Sequence, residues 1–397
     1  MTNATICIEM PEQCVGCGAC ASVCPQKCIE MKPDEEGFLY PHADLLACIG
    51  CGACRQVCPL LQTRTHGETH CQKAYLVQNQ NFQILKSSSS GGAFYPIASA
   101  VIKKGGVVFG AHFDDQKKVV HGYTENESGL IDFQGSKYVQ SEIQDSYIAC
   151  KKFLSEGRLV LFSGTPCEIA GLKSFLGCEN ENLLTCDFIC TGVPSPLCFL
   201  KYRTALEKKY DRPIQKINFR SKKEGWFDFS IEALFSQGVY YCSRFFDPYI
   251  LAHYQHLTLR PSCYSCPFKR FNSGSDFKIA DAWGAEKLFP EIDPYFGISF
   301  VCLQTKKSEK LWEQVQPQFF FHEITEKQVF HYNRALINVS SKPNERETFF
   351  KEMQNQDAVG FFKLLKKYTH RSINENILIY LRLLKRKILH RRSKSIW

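Results

Sequence analysis

Two matched sets of four cysteines near the N-terminus constrain this 397-residue chain more than any other feature. Each set has the spacing Cys-x2-Cys-x2-Cys-x3-Cys and is followed by a proline, Pro25 or Pro59. The sequence Gly-Cys-Gly-Ala-Cys occurs in both sets, at Gly16–Cys20 and again at Gly50–Cys54. The eight cysteines are Cys14, Cys17, Cys20, Cys24, Cys48, Cys51, Cys54 and Cys58. This repeat predicts a duplicated metal-binding unit over residues 1–66.

The spacing is typical of bacterial two-cluster ferredoxins, in which three close cysteines bind one 4Fe-4S cluster and the fourth binds the other. We therefore expect one cluster on Cys14, Cys17, Cys20 and Cys58, and a second on Cys48, Cys51, Cys54 and Cys24. Zinc also binds Cys-x2-Cys pairs, but zinc does not explain the third cysteine, the proline or the repeat. The segment predicts a unit that moves single electrons.

Composition and charge narrow the class of protein. The first ten residues lack the basic start and apolar core of a signal peptide, and the 21 cysteines fit iron–sulfur ligands and free thiols in a reducing cytoplasm. The formal net charge is +9. Residues 361–397 hold eleven Lys or Arg and one Glu, which leaves the rest close to neutral. We therefore expect no nucleic-acid groove in the main domains.

The order of predicted elements indicates a multidomain α+β and α/β protein. The ferredoxin-like unit is followed by a mixed-sheet α/β body, which we divide at residues 70–150 and 155–320, and by a helical basic tail at 321–397. Buried-strand patterns lie at 74–78, 107–113, 158–163, 183–189 and 278–282, and helical patterns lie at 93–104, 147–155, 168–176 and 196–210. Three further strands of a mixed sheet are predicted at 214–220, 226–235 and 239–244.

A third four-cysteine site is predicted in the body. Cys167 follows a strand at the start of a helix, Cys190 ends the next strand, and Cys263 and Cys266 form a Cys-x2-Cys pair. We expect these four thiolates to bind a third 4Fe-4S cluster, with Cys186 in reserve. The alternative is a zinc-binding pair with scattered free thiols. The remaining cysteines are interpreted as small apolar residues: Cys7, Cys28, Cys71, Cys150, Cys178, Cys198, Cys242 and Cys302.

Two loops have the composition of ligand-binding turns. Ser87–Gly92 opens a helix, where free backbone amides favour phosphate. A flexible loop with an ordinary helix N-cap would have the same composition, and this is the alternative. Gly164–Cys167 joins a parallel strand to a helix, and ligands bind at the carboxyl ends of such strands. The chain contains neither Gly-x-Gly-x-x-Gly nor a Walker motif, so a standard dinucleotide fold and a P-loop are not supported.

Six motifs in order resemble the beta subunit of coenzyme F420 hydrogenases and dehydrogenases. The resemblance covers about residues 74–300, with the ferredoxin segment fused in front. The motifs are Ser90–Phe94, Gly135–Ser141, Leu161–Leu172, Asp187–Ser195, Phe219–Lys222 with Gly225–Trp226, and Cys263–Cys266 with Asp281–Gly284. The family usually has His where Thr191 stands here and Gly where Ala280 stands, which puts use of the deazaflavin in doubt.

The resemblance implies an FAD-bound oxidoreductase that passes electrons between clusters and a hydride acceptor. A flavin suits this task because it accepts single electrons and delivers hydride. It implies a flavin-binding body with the cofactor held by Ser90, Gly91, Gly92, Gly135, Ser136, Gly164, Thr165 and Pro166. The candidate proton donors are Lys137, Tyr138 and Asp281.

We therefore expect an iron–sulfur flavoprotein oxidoreductase that acts on a deazaflavin-type coenzyme or a polysaccharide-pathway metabolite. The expected protein partner is a ferredoxin or another electron-transfer protein. One alternative is an electron-transfer subunit without its own substrate, and another is an iron–sulfur redox sensor without flavin.

The C-terminal tail is predicted to form an amphipathic helix. Residues 377–390 place apolar side chains on one face and cations on the other, followed by Arg391, Arg392, Lys394 and Trp397. Such a helix binds an anionic membrane surface or an acidic partner, and the alternative is a solvated terminal helix. We expect peripheral contact with the inner face of a membrane.

Overall fold

The computed structural model describes residue 6, residues 10–61 and residues 70–394, with residues 385–394 described by their backbone alone. Cys7, Trp397 and the end of the predicted ferredoxin unit lie outside the described residues. The described strands are β1 (Ile29–Pro33), β2 (Leu39–Ala43), β3 (Lys73–Asn79), β4 (Val107–Phe113), β5 (Val119–Thr124), β6 (Val160–Ser163), β7 (Leu183–Phe188), β8 (Lys216–Ser221), β9 (Ser230–Leu234), β10 (Val239–Ser243), β11 (Phe277–Asp281), β12 (Ser299–Leu303) and β13 (Phe319–Ile324).

The helices separate and flank these strands. They are α1 (Ala19–Val23), α2 (Ala53–Gln56), α3 (Phe82–Ser87), α4 (Phe94–Ile102), α5 (Leu130–Phe133), α6 (Ser146–Ser155), α7 (Pro166–Leu176), α8 (Pro196–Tyr210), α9 (Pro248–Tyr254), α10 (Lys306–Val315), α11 (Glu326–Tyr332), α12 (Arg346–Gln354), α13 (Ala358–Tyr368) and α14 (Ile373–Lys394). The helices and buried strands predicted between residues 74 and 210 are confirmed to within a few residues.

The N-terminal segment repeats its backbone as well as its sequence. Gly18 and Gly52 precede α1 and α2 with φ values of 72° and 73°, a left-handed conformation that glycine adopts without strain. The β1–β2 hairpin closes the segment through an antiparallel pair. Its small core consists of Ile6, Ile29 and two ligand candidates, Cys20 and Cys54.

An eight-stranded mixed sheet forms the centre of the body, in the order β13-β3-β12-β11-β7-β6-β4-β5. Strands β4, β6, β7 and β11 run parallel to one another. Strand β12 is antiparallel to both β11 and β3, so β3 points the same way as the parallel group. The carboxyl ends of these five strands therefore share one edge of the sheet, the carboxyl edge, where open α/β sheets bind ligands.

Helices cover both faces of this sheet. Helices α4 and α10 pack on one face around Val101 and Trp312. Helices α6 and α7 pack on the other face around Tyr147 and Ile169, and this core extends to Cys17 of the ferredoxin segment. The ferredoxin segment is thus joined to the body through the helices that follow β5 and β6.

Three parts of the structure differ from the sequence-based prediction. Strands β8, β9 and β10 form a separate antiparallel sheet instead of joining the mixed sheet, and helices α8, α9, α12 and α13 pack against it. The Ser-rich loop follows α3 and precedes α4, whose cap is Ala93. Strand β13 straddles the predicted boundary at residue 320 and pairs with β3.

Helix α14 leaves much of its described surface exposed. Tyr380 stacks on Phe246 with ring centroids 4.8 Å apart. Leu378, Leu381 and Leu384 are each more than half exposed. Within the described residues, no helix is long and apolar enough to cross a membrane.

Candidate functional site

Four cysteines from both halves of the repeat line one cavity, the first cavity. Its other walls are apolar or neutral, and include Val15, Met31 and Leu60. The four are Cys14, Cys17, Cys20 and Cys58, the predicted first set. The fourth cysteine of the second motif therefore joins the first three of the first motif, as the ferredoxin spacing predicts.

The second cavity has the reciprocal arrangement and one additional cysteine. It is lined by Cys24, Cys48, Cys51 and Cys54, the predicted second set, and also by Cys28. The interpretation of Cys28 as a plain apolar residue is wrong, because its Sγ lies 3.4 Å from the Sγ of Cys24. The sequence signal was its position four residues after a ligand cysteine.

The chemistry of the cysteines fits clusters in these cavities. Burial raises the pKa of Cys17 well above its ordinary value and raises the pKa of Cys20 to about 12. Iron binds thiolates, so bound iron would supply the charge that such buried sulfurs require. Among the described residues, no three or more Cys, His, Asp or Glu side chains converge on a single ion position. Each cysteine set instead surrounds a volume.

The third cavity brings together the four cysteines predicted in the body. Cys167 lies in the first turn of α7, and Cys190 follows β7. Cys263 lies within a short helical turn, and Cys266 directly follows that turn. The backbone N–H of Gly192 donates to Cys190 Sγ at 3.3 Å. Cys186 does not line this cavity, so the reserve ligand is not needed.

Cations distinguish the third cavity from the other two. Lys269, Arg270 and Lys278 line it, whereas among the described residues no charged side chain lines the first or second. Lys278 Nζ lies 2.6 Å from both carboxylate oxygens of Asp187, and both side chains are fully buried. Lys269 Nζ donates to the backbone carbonyls of Cys190 and Ala335. Lys269 also counters the burial that raises the pKa values of nearby cysteines.

The three cavities form a series from the surface inwards. Cys51 in the second cavity is exposed. The first cavity is adjacent to the third, because Val15 lines both. Helix α7 carries Cys167 and approaches the first cavity so closely that a Cβ on Gly171 would lie 2.9 Å from Cys17 Sγ.

The Ser-rich loop and the Gly135 motif meet at the carboxyl edge. The backbone N–H of Ser136 donates to Ser89 Oγ at 2.6 Å. Ser90 Oγ donates to the carbonyl of Ile298 at 2.7 Å. A Cβ on Gly91 would lie 2.3 Å from the carbonyl oxygen of Val77, so this glycine is required by the chain's own sheet. Gly91→Val would therefore not isolate an effect on flavin binding.

The remaining glycine positions differ in their surroundings. Gly92 has a φ of 78° and lies against Asn79, whereas a Cβ on Gly135 would meet nothing within 4 Å. Among these glycines, Gly135 is therefore the candidate flavin contact that has open space beside it.

The Gly164–Cys167 turn is organised by its own residues. Thr165 Oγ1 accepts from the N–H of Glu168, and Glu168 accepts from the N–H of Thr165 at 2.7 Å, which makes a capping box. A Cβ on Gly164 would lie 2.9 Å from Glu168 Oε2. Pro166 starts the helix and lines the third cavity beside Cys167. The turn thus connects the carboxyl edge to the third cavity.

The three candidate proton donors lie in different environments. Lys137 Nζ donates to the carbonyls of Asp132, Gln134 and Gly135, and burial lowers its pKa to about 7. Asp281 ends β11 and forms a bidentate pair with Arg220, with oxygen–nitrogen distances of 2.5 and 3.0 Å. Both carboxylate oxygens of Asp281 therefore accept charge-assisted hydrogen bonds from Arg220.

Tyr138 is buried among aromatic rings. Burial raises the pKa of Tyr138 far above its ordinary value, so its hydroxyl stays protonated. Its ring lies 4.7 Å from that of His253 and 5.7 Å from that of Phe219. Tyr138 senses the charges of Arg220 and Asp281, whereas Lys137 is held in its own loop.

Comparison with known families identifies two segments of the chain. Residues 157–327 match the model for the C terminus of the coenzyme F420 hydrogenase/dehydrogenase beta subunit. Residues 13–60 match the 4Fe-4S dicluster domain. The body is therefore related to the coenzyme F420 hydrogenase/dehydrogenase beta subunit, and the N-terminal segment to dicluster ferredoxins. The chain is an iron–sulfur electron-transfer protein related to that beta subunit.

The similarity to a solved structure is more distant. A xenon-derivatised F420-reducing NiFe hydrogenase complex from Methanosarcina barkeri contains a chain with 13% sequence identity and a TM-score of 0.45. The similarity covers 70% of this chain and 91% of that one. No curated protein sequence matches this chain.

Two cations of the family motif Phe219–Lys222 have structural roles that sequence reasoning missed. Arg220 pairs with Asp281 and lies over the ring of Trp283, which stacks on Trp226 at 4.0 Å. Lys222 Nζ donates to the carbonyls of Leu85 and Ser90 and so holds both ends of the Ser-rich loop. The motif itself was the signal, because it places two cations at the end of one strand.

Proposed function

We propose that this protein is an iron–sulfur flavoprotein oxidoreductase. In this proposal, electrons enter at the ferredoxin segment, pass from the two N-terminal clusters to a third cluster and FAD, and leave as hydride to a small acceptor. The observation that carries the proposal is the series of three cysteine-lined cavities, in which Val15 is a wall common to the first and third. A chain of adjacent cluster sites serves electron transfer, whereas a regulatory sensor requires only one.

The position of the third cavity supports a flavin at the carboxyl edge. Gly164, Thr165 and Pro166 are candidate flavin contacts, and the next residue, Cys167, is a candidate cluster ligand. When bound, a flavin supplies the change from single electrons to hydride. The chain's own residues would orient it: Lys222 holds the Ser-rich loop, and Ser89 bonds that loop to Ser136.

The Arg220–Asp281 pair and the stacked tryptophans are the best candidates for positioning the acceptor. Asp281 accepts hydrogen bonds from Arg220 and from the indole N–H of Trp226 at 2.9 Å. Planar aromatic and guanidinium surfaces stack well on planar heterocycles. The acceptor class we propose is a deazaflavin-type coenzyme or a polysaccharide-pathway metabolite. Thr191 and Ala280, which depart from the family pattern, make the second class the more informative one to assay.

Cofactor quantitation on anaerobically purified full-length protein tests this function. We expect about twelve irons with matching sulfide, for three four-iron clusters, and one FAD released on denaturation. Full iron content without flavin would favour the redox-sensor alternative. Zinc without sulfide would reject the proposal that the cysteines bind iron–sulfur clusters.

One observation favours a second candidate, an electron-transfer subunit without its own substrate. Leu45, Leu46 and Ile49 are at least 63% exposed and surround the exposed Cys51 of the second cavity. An apolar rim around a redox site suits docking of an electron-transfer protein such as a ferredoxin. Reduction of artificial dyes with no turnover of either acceptor class, restored by a partner protein, would support this candidate over the first.

We also propose that α14 makes peripheral contact with an anionic membrane. The support is its exposed apolar surface together with the net charge of +10 over residues 361–397. Each cation near an anionic surface contributes about 1 kcal/mol. Liposome binding that falls with rising salt and disappears without residues 370–397 is expected, and equal binding to neutral liposomes would contradict the electrostatic part.

A further inference from the structure

Arg260 is a fully buried cation at the interface between the ferredoxin segment and the body. Its guanidinium donates to the carbonyl of Cys14 at 2.8 Å, to the carbonyl of Leu39 at 3.0 Å and to Gln140 Oε1 at 3.0 Å. It also lies over the ring of Tyr40, 4.2 Å from the ring centroid. Within the described part of the chain, all three of its hydrogen-bond acceptors are therefore neutral.

A buried charge is costly unless an opposite charge compensates it. Asp34 is a carboxylate that senses Arg260, which counters the burial that raises the pKa of Asp34. However, Asp34 Oδ1 already accepts from the backbone N–H groups of Glu36 and Phe38. The counter-charge of Arg260 must therefore be sought among the groups that the cavities would hold.

The position of Arg260 points to two of the three cavities. A Cβ on Gly16 would lie 2.8 Å from a terminal nitrogen of Arg260, so the guanidinium lies against the loop of the first cavity. The carbonyl of Arg260 accepts from the N–H of Cys263, a ligand candidate of the third cavity. The described neighbours of the second cavity include no such buried cation, since Lys27 and Arg55 are exposed to solvent.

Arg346 provides a natural contrast at the same interface. It is also buried and also joins the body to the ferredoxin segment, but it does so through a bidentate pair with Glu36 at 2.8 and 2.5 Å. Arg346 therefore has its own carboxylate and faces no cysteine cavity. Both arginines join the ferredoxin segment to the body, but only Arg260 lacks a paired carboxylate and so leaves its charge free to act on the cavities.

We infer that Arg260 is the shared counter-charge of the clusters in the first and third cavities, and that it raises their reduction potentials by stabilising the reduced, more negative form. The part that concerns the third cluster rests on the proposed function, whereas the part that concerns the first rests on the dicluster domain alone. Cluster charge is one of the factors that set these potentials. Arg260 is a positioning residue, not a catalytic one.

Redox titration of each cluster by electron paramagnetic resonance tests this inference. Arg260→Gln should lower the potential of the first cluster, and of the third if present, and leave that of the second unchanged. Arg260→Lys, which keeps the charge, should restore most of the loss. Arg346→Gln is the matched control and should leave all potentials unchanged. An unchanged first-cluster potential in Arg260→Gln, or an equal shift in the Arg346 control, would overturn the inference.

Two readouts keep the test decisive. If Arg260→Gln does not take up iron, Arg260→Lys replaces it as the test, because this variant keeps the charge. Full cluster content with a lowered first-cluster potential in Arg260→Lys would overturn the inference, since charge would then not be the cause. Iron quantitation on each protein reveals whether the third cluster exists. Absence of the third cluster would reject the proposed function and leave the first-cluster result intact.

A separate observation concerns Cys28. The second cavity contains five thiols for the four irons of a cubane cluster, each of which binds one thiolate, and Cys28 Sγ is 3.4 Å from Cys24 Sγ. Among the described residues, four thiols line the first cavity, and the position that corresponds to Cys28 in the repeat is Gln62. The geometry points to Cys28 as an alternative fourth ligand of the second cluster.

The repeat supplies the control for this ligand exchange. Cys24→Ser should keep the second cluster, whereas Cys58→Ser, at the equivalent position, should lose the first. The double variant Cys24→Ser with Cys28→Ser should lose the second cluster. Iron content and the resonance signal of each cluster measure these outcomes. Loss of the second cluster in Cys24→Ser alone, or in Cys28→Ser alone, would overturn the assignment.

Discussion

The N-terminal pair of cavities and the third cavity reach the same four-sulfur arrangement by different routes. The pair is built from a local repeat, with every ligand candidate between Cys14 and Cys58 and with neutral walls. The third is assembled from a helix start, a strand end and a short turn that span Cys167 to Cys266, and its walls carry three cations. The first route depends on sequence spacing and the second on the topology of the sheet. Each can therefore be disturbed separately.

The largest expected effect separates the third cavity from the pair. Cys263→Ser with Cys266→Ser should remove about a third of the iron, because one of three four-iron clusters is lost. The N-terminal resonance signals should remain. Cys186→Ser is the control, since this buried cysteine lies on β7 close to Cys190 in sequence but does not line the cavity. Equal iron in the double variant and the wild type would show that the third cavity holds no cluster.

A second large effect concerns the charges around the third cavity. Lys278→Met should destabilise the protein by about 3–5 kcal/mol, because it leaves the carboxylate of Asp187 buried without its cation. Lys73→Met breaks a solvent-accessible pair with Glu309 and should have a much smaller effect, because water screens such pairs. Anaerobic denaturant unfolding measures both variants. A similar loss in both would mean that burial of the Asp187–Lys278 pair does not matter.

An intermediate effect tests the contact between the two regions. Gly171→Ala places a Cβ 2.8 Å from the Cβ of Cys17, and overpacking of this kind costs about 1–3 kcal/mol. Gly360→Ala, in helix α13, meets mainly the flexible end of Gln356 and should be neutral or stabilising. The thermal midpoint measures both changes. If Gly171→Ala is as well tolerated as Gly360→Ala, α7 does not press on the first cavity.

The smallest expected effect compares two buried lysines. Lys278 has a carboxylate, whereas Lys222 bonds only backbone carbonyls and burial lowers its pKa to about 7. The unfolded chain keeps this proton up to a pKa near 10.4, so between pH 7 and about 10 the unfolded state binds more protons. Stability should therefore rise with pH across this window. Lys222→Met should remove that part of the slope in thermal midpoints, and an unchanged slope would contradict the shift.

The sequence predicted the cysteine partnerships well because ligand spacing is a local property. The exchange of Cys24 and Cys58 between clusters followed from the motif, and the grouping of Cys167 with Cys190 followed from parallel strands that end at one edge. Cys28 was missed because its relevance depends on a distance to Cys24 that spacing rules do not encode. Arg260 was missed for the same reason.

Strand alternation predicted strands but not their partners. Residues 214–244 were assigned to a mixed sheet, yet β8, β9 and β10 form their own antiparallel sheet. The partner of a strand depends on the long-range packing of α8 and α9, which a single sequence does not display. Gly91 was likewise expected to contact the flavin, but its close neighbours are the backbone atoms of β3 and β12.

The exchange of fourth ligands between the halves of the repeat has a consequence for biogenesis. Because Cys58 closes the first site and Cys24 closes the second, neither half of the segment can complete a cluster alone. The small core of the segment also consists partly of ligand candidates, Cys20 and Cys54. Iron loading would therefore be a folding step, because cluster insertion into these cavities would close a long loop and complete the core together. A nascent chain would have to release residues up to at least Cys58 before the first cavity could be closed around a cluster.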